Sequence, residues 1–165
     1  HIQGDVLEIL GEGWNLMVAH PPCTHLAVSG ARHFPAKRAD GRQQEALDFV
    51  RALLGAPIER IALENPISII STEIRKPDQI IQPWQFNHAE LKATCFWLKN
   101  LRPLVPTHSN DGDLFTAVAP SEREPRVHMM GPSPNRWKER SRTFANVADA
   151  MAEQWGSSRL QSEAA

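Results

Sequence analysis

A chain of 165 residues with 41% apolar and 22% charged side chains fits one globular domain of ordinary size and excludes a disordered or fibrous protein. The formal net charge of -1 excludes a globally basic nucleic-acid binder, so contact with a polyanion has to be local, and basic residues do gather at Arg136, Lys138, Arg140 and Arg142. No apolar run approaches the roughly 20 residues that cross a bilayer and no signal peptide opens the chain, so no membrane partner and a cytoplasmic location are expected.

The chain opens on His1 rather than Met, which leads to the expectation of a longer natural protein and a fold incomplete at its N-terminus. Trp14 to His20 is a short apolar run stopped by Pro21 and Pro22, the pattern of a buried strand that delivers the next residues to the edge of a sheet. A loop rich in Gly, Ser, Arg and Lys follows from Ser29 to Gly41. Arg42 to Leu54 then carries Ala46, Leu47, Phe49, Val50, Leu53 and Leu54 at helical spacing and ends at Gly55 and Pro57. Ile58 to Leu63 reads as a second strand, followed by Glu64-Asn65-Pro66, and strand, helix, strand in that order predicts a parallel α/β unit.

Gln79 to Gln82 fits a short strand. Ala89 to Lys99 fits either helix or strand, since Glu90, Leu91 and Lys92 favour the first and Thr94, Cys95, Phe96 and Trp97 the second. Residues 103–134 read as a long loop or insertion, Val147 to Trp155 as a final helix, and 157–165 as a flexible tail. The whole predicts a single α/β domain over 1–156 with a three-layer, mostly parallel sheet.

Ligands of such sheets bind outside the carboxyl ends of the strands, so Cys23 and Glu64, each shortly after a predicted strand, are expected to share one pocket. A thiolate there can attack an electrophilic carbon while a nearby carboxylate holds or passes a proton, a combination suited to addition to a heteroaromatic ring. Cys23 and Cys95 lie in unlike contexts, which predicts two reduced thiols with Cys95 structural. His20, Cys23, His25 and His33 lack the paired spacing of zinc sites, so no metal is expected.

Pro22-Cys23 resembles the Pro-Cys catalytic loop of cytosine-C5 DNA methyltransferases, and Glu64-Asn65-Pro66 resembles that family's Glu-Asn-Val motif with Pro in place of Val. Arg140-Ser141-Arg142 resembles the Arg-x-Arg end of its Gln-x-Arg-x-Arg element, with Lys138 where Gln would stand. Lys76 to Trp84 and Arg142-Thr143-Phe144 are similar to stretches of short phage and prophage proteins of the cytosine-methyltransferase-like type.

The resemblance implies a Rossmann-like methyltransferase domain in which Cys23 adds to C6 of a flipped-out cytosine, Glu64 binds the ring edge, and Arg140 and Arg142 brace the substrate. It further implies substrate contacts at Pro22, Thr24, Asn65, Pro66 and Arg136, and S-adenosylmethionine as methyl donor, with Asp5, His20 and Pro21 on the cofactor side. The family's Phe-x-Gly-x-Gly cofactor loop has no counterpart in this chain. DNA or a pyrimidine nucleotide is the implied partner. Two further readings stay open: a nucleic-acid or protein binding module that kept the scaffold without catalysis, and an enzyme that modifies free pyrimidine nucleotides.

Overall fold

The computed structural model of the protein describes residues 1–107, 118, 120–134 and 136–156, so the expected tail 157–165 and part of the expected loop lie outside the described residues. Two compact units emerge: His1–Ile80 with Thr94–Pro103, and Ile81–Ala93 with Leu104–Ala165. Each is described by itself.

The first unit is an α/β structure. Its strands are β1 (Leu16–Ala19), β2 (Arg60–Pro66), β3 (Gln79–Ile81, whose last residue falls in the second unit) and β4 (Thr94–Lys99), in the order β1-β2-β4-β3. β1 runs parallel to β2, with Ala19 opposite Leu63, and β4 runs antiparallel to β2, with Asn65 opposite Cys95. The sheet is therefore mixed rather than mostly parallel. Between β2 and β4 lie the single turn α3 (Ile70–Glu73), β3 and a 3-10 turn (Pro83–Phe86), none of them a helix long enough to span the sheet. A parallel neighbour usually follows a helical crossover, and this connection instead holds a strand and short turns.

Between β1 and β2 the crossover does contain helices, α1 (Phe34–Ala39) and α2 (Arg42–Leu54). The bounds of α2 match the sequence expectation, and its buried positions Gln43, Leu47, Val50 and Leu53 recur at helical spacing. Gly41, at φ 82°, supplies the left-handed residue that separates α1 from α2. The stretch read as loop from Ser29 to Gly41 is instead a 3-10 turn (Val28–His33) running into α1, because Pro35 suits a first helical turn and Phe34 and Lys37 are both buried.

Leu47, Val50 and Leu53 of α2 pack with Ala19 of β1, Leu63 of β2, Cys95 and Trp97 of β4, and with Leu26, Phe34, Ile69 and Ile70. Each large side chain so buried contributes about 1.5–3 kcal/mol. The open reading of Ala89 to Lys99 resolves as strand over Thr94–Lys99, whose first five residues are all buried. Trp97 donates its indole N–H to the Arg75 carbonyl at 2.7 Å, which removes the penalty of burying that polar atom. Glu64-Asn65-Pro66 lies inside β2, not after it, because β4 pairs with all three residues.

The second unit holds α4 (Arg126–Met129), α5 (Arg136–Ser141) and α6 (Ala145–Gly156), with a 3-10 turn at Pro83–Phe86 against which α6 packs. Ile81, Phe86, Leu104, Val127, Val147, Ala150, Met151 and Trp155 are buried apolar residues of this unit. Among the described residues no helix is long and apolar enough to cross a membrane.

Candidate active site

β1 ends at Ala19, beside Leu63 within β2. Because the two strands are parallel and Ala19 is in register with Leu63, the following residues, His20 and Glu64, are neighbours. Side chains alternate along a strand, and since Ala19 and Leu63 point into the core, His20 and Glu64 project from the other face. There His20 Nδ1 donates to Glu64 Oε2 at 3.1 Å, with the His20 side chain 40% and the Glu64 side chain 16% exposed.

Three residues after His20, the chain turns at Cys23, which is half-buried and free of any disulfide. Its carbonyl accepts from the Leu26 amide at 3.0 Å and the Ala27 amide at 2.9 Å. Beyond the turn the chain is zipped to the segment after β2: Ala27 bridges Ser68, the Val28 amide donates to the Ile67 carbonyl at 3.0 Å, and the Ile69 amide donates to the Leu26 carbonyl at 3.1 Å. Asn65, only 1% exposed, donates from Nδ2 to the Pro21 carbonyl at 3.0 Å. The backbones carrying Cys23 and Glu64 are thus fastened to each other on both sides of the thiol.

Pro22 and Thr24 are exposed at this turn, Pro21 is buried, and Pro66 ends β2 opposite Thr94. Asn65 Oδ1, Ser68 Oγ and His25 Nδ1 are buried without a hydrogen-bond partner among the described residues, so polar capacity remains unused around the turn. Below it, Cys95 is fully buried, and burial, with a smaller contribution from the negative charge of Glu64, pushes its thiol up to about 11. That thiol is structural.

The other expected residues have different surroundings. Asp5 is exposed and caps the 3-10 turn Val6–Ile9 by accepting from the Leu7 amide at 2.9 Å. Arg136 and Arg140 lie on α5 and Arg142 just after it, all in the second unit. Arg142 pairs with Glu139 at 3.6 Å and its carbonyl accepts from Lys92 Nζ at 3.1 Å. Among the described residues no group of three or more His, Cys, Asp or Glu is arranged to hold a metal ion.

Sequence reading missed Lys37 and Gln43. Lys37 donates to the Thr24 carbonyl, and Gln43 Nε2 donates to the His25 carbonyl at 3.1 Å. The available signal was Gln43, a polar residue four positions before Leu47 on the apolar stripe of α2.

Chemically, the arrangement offers a half-buried thiol on a turn whose backbone is tied to the strand that carries Glu64, and a carboxylate hydrogen-bonded to an imidazole through one of its two oxygens. Against models of protein families, curated protein sequences and solved structures, the chain has no significant match, so its chemistry is read from its own residues.

Proposed function

We propose that this chain is the catalytic domain of a cytosine-C5 methyltransferase-like protein, cytoplasmic, of three-layer Rossmann-like architecture, acting on cytosine in DNA or on a related pyrimidine. The observation that supports the reading is the parallel register of Ala19 with Leu63, which brings His20, three residues before Cys23, into a hydrogen bond with Glu64. The Pro22-Cys23 and Glu64-Asn65-Pro66 motifs add to it.

In this mechanism Cys23 Sγ adds to C6 of the pyrimidine as the C5–C6 π bond opens, which makes C5 nucleophilic. Glu64 lies at the ring edge, and with His20 it holds the proton needed beside N3 as charge builds there. With a methyl group on C5, transfer of the C5 proton to solvent water and departure of the Cys23 thiolate from C6 would restore the aromatic ring. Arg136, Arg140 and Arg142 would meet phosphate or substrate.

S-adenosylmethionine would supply the methyl group from its sulfonium. Of the residues assigned to its side, Asp5 has an exposed carboxylate and His20 a partly exposed ring, whereas Pro21 is buried and contributes only its backbone, held by Asn65. The test is incubation with labelled S-adenosylmethionine and DNA, with Cys23→Ser and Glu64→Gln controls. Label in C5 of a pyrimidine that depends on Cys23 supports the reading; absence of Cys23-dependent transfer from DNA, oligonucleotide and free nucleotide alike overturns it.

A further inference from the structure

The turn at Cys23 is held by more than its own hydrogen bonds. Four successive or near-successive carbonyls around the thiol each have an acceptor role: Pro21 from Asn65, Cys23 from the Leu26 and Ala27 amides, Thr24 from Lys37, and His25 from Gln43. Three of these donors are side chains from elsewhere in the fold, and all three are buried, Asn65 at 1%, Gln43 at 3% and Lys37 at 9% exposure.

Lys37 is the unusual member. Lysine is almost never buried without a partner, because desolvating an ammonium is costly. Among the described residues no carboxylate pairs with it. Its ammonium is instead directed at the carbonyl of Thr24, the residue that follows Cys23, with the centre of the Phe34 ring at 6.0 Å. Gln43 is itself fixed, since Arg38 Nε donates to its Oε1 at 2.8 Å. A residue that accepts the desolvation cost of an ammonium and the loss of lysine rotamer freedom for one loop carbonyl is placed for that loop.

We propose that Lys37, supported by Gln43, is a positioning residue that fixes the backbone of the Cys23 turn and thereby the direction in which the thiol is presented; the role rests on Cys23 being the nucleophile of the proposed reaction. The ammonium does not touch the reacting atoms. It acts by holding Thr24, one peptide bond away from the cysteine.

The experiment compares the unaltered chain with Lys37→Met and Lys37→Arg, reading amide hydrogen exchange and the rate of iodoacetamide labelling at each cysteine by mass spectrometry. In Lys37→Met, exchange at Leu26 and Ala27 should rise about tenfold or more while Ile61 to Leu63 of β2 keeps its protection, as expected when one local hydrogen bond is lost. Cys23 labelling should change severalfold while buried Cys95 stays unlabelled, which separates local loosening from global unfolding. Lys37→Arg, which retains a donor, should restore the native pattern. Where methyl transfer is measurable, Lys37→Met should lower kcat about tenfold or more with KM for DNA unchanged, since misplacement of a reacting group acts on the chemical step. Native exchange and labelling in Lys37→Met would overturn the proposal. If that variant does not fold, exchange in the unaltered chain decides: unprotected Leu26 and Ala27 amides overturn it, and protected amides with Lys37→Arg native support it. Because exchange and labelling need neither DNA nor methyl donor, failure of methyl transfer leaves this result readable.

Discussion

His20 and Glu64 are hydrogen-bonded at 3.1 Å, and what brings them together is a strand register rather than any nearness in sequence. Ala19 opposite Leu63 in a parallel pair means that the next residue on each strand lands beside its counterpart, on the face opposite Ala19 and Leu63. A one-residue slip of either strand would turn its own member of the pair to the other face and break the hydrogen bond.

This pair makes the first prediction. Glu64→Gln keeps the shape and removes the ionisable group, and should lower Cys23-dependent transfer by roughly 10²–10⁴-fold, the usual span for loss of a general acid or base. His20→Phe leaves the carboxylate without its partner and should lower the rate by about tenfold, the equivalent of about 1.4 kcal/mol in the barrier. Neither should change folding stability by more than about 1 kcal/mol, since the pair is partly exposed. Single-turnover rates and denaturant midpoints check both halves; a stability loss equal to the rate loss would make the pair structural.

Asn65 makes the second. It is buried and spends its amide N–H on the Pro21 carbonyl. Asn65→Asp keeps the size but puts a carboxylate against that carbonyl, and should destabilise the chain by about 3 kcal/mol at neutral pH, as an uncompensated buried charge does. The introduced carboxyl takes up a proton as pH falls and can donate again, so part of the loss should be regained near about pH 5. Urea midpoints at the two pH values test this, and a pH-independent loss would argue against a hydrogen-bonding role.

Much of this site was legible before the fold. Two prolines after an apolar run, and Glu-Asn-Pro after another, are short-range patterns, and the 3.6-residue spacing of Leu47, Val50 and Leu53 fixes α2 between them. The antiparallel return of β4 was not legible, because strand direction depends on the connection from Pro66 to Thr94, which carries no strong local pattern. Nor was the end of β2: Pro66 reads as a strand stop, yet it closes the ladder opposite Thr94, where a missing N–H costs little. Lys37 was invisible for a related reason. A lysine in a Gly- and Ser-rich stretch reads as solvated, and only the tertiary placement of α1 turns its ammonium toward the Thr24 carbonyl.

The third prediction concerns alkaline pH. Cys95 is raised to about 11 by burial and by the charge of Glu64, from an ordinary value of 9.0. An acid raised in the folded state holds its proton longer there than in the unfolded chain, so its contribution is fully present below about pH 9 and is lost as pH rises through about 11. Stability of the unaltered chain should fall across that window by up to about 3 kcal/mol more than that of Cys95→Ala. Parallel slopes for the two proteins would assign the alkaline loss to other groups.

The fourth lies in the second unit. Glu90 is 1% exposed and accepts from the Val127 amide at 2.8 Å and from Arg126 Nε at 3.2 Å. Its own segment is also laced to residue 124, with the Leu91 amide donating to the Glu124 carbonyl at 2.9 Å and the Glu124 amide to the Ala89 carbonyl at 3.3 Å. The Arg126 side chain is 66% exposed, so it can return to water when Glu90 is removed; the Val127 amide cannot. The cost of substitution is therefore set by the backbone donor more than by the ion pair. Glu90→Gln, which keeps an acceptor for Val127, should lose about 1–2 kcal/mol, and Glu90→Leu, which leaves the amide unsatisfied, about 3 kcal/mol or more. Arg126→Lys should be nearly neutral, within about 0.5 kcal/mol. Thermal or denaturant unfolding of the three variants orders these terms, and equal losses for Glu90→Gln and Glu90→Leu would show that charge, not the Val127 hydrogen bond, is what Glu90 supplies.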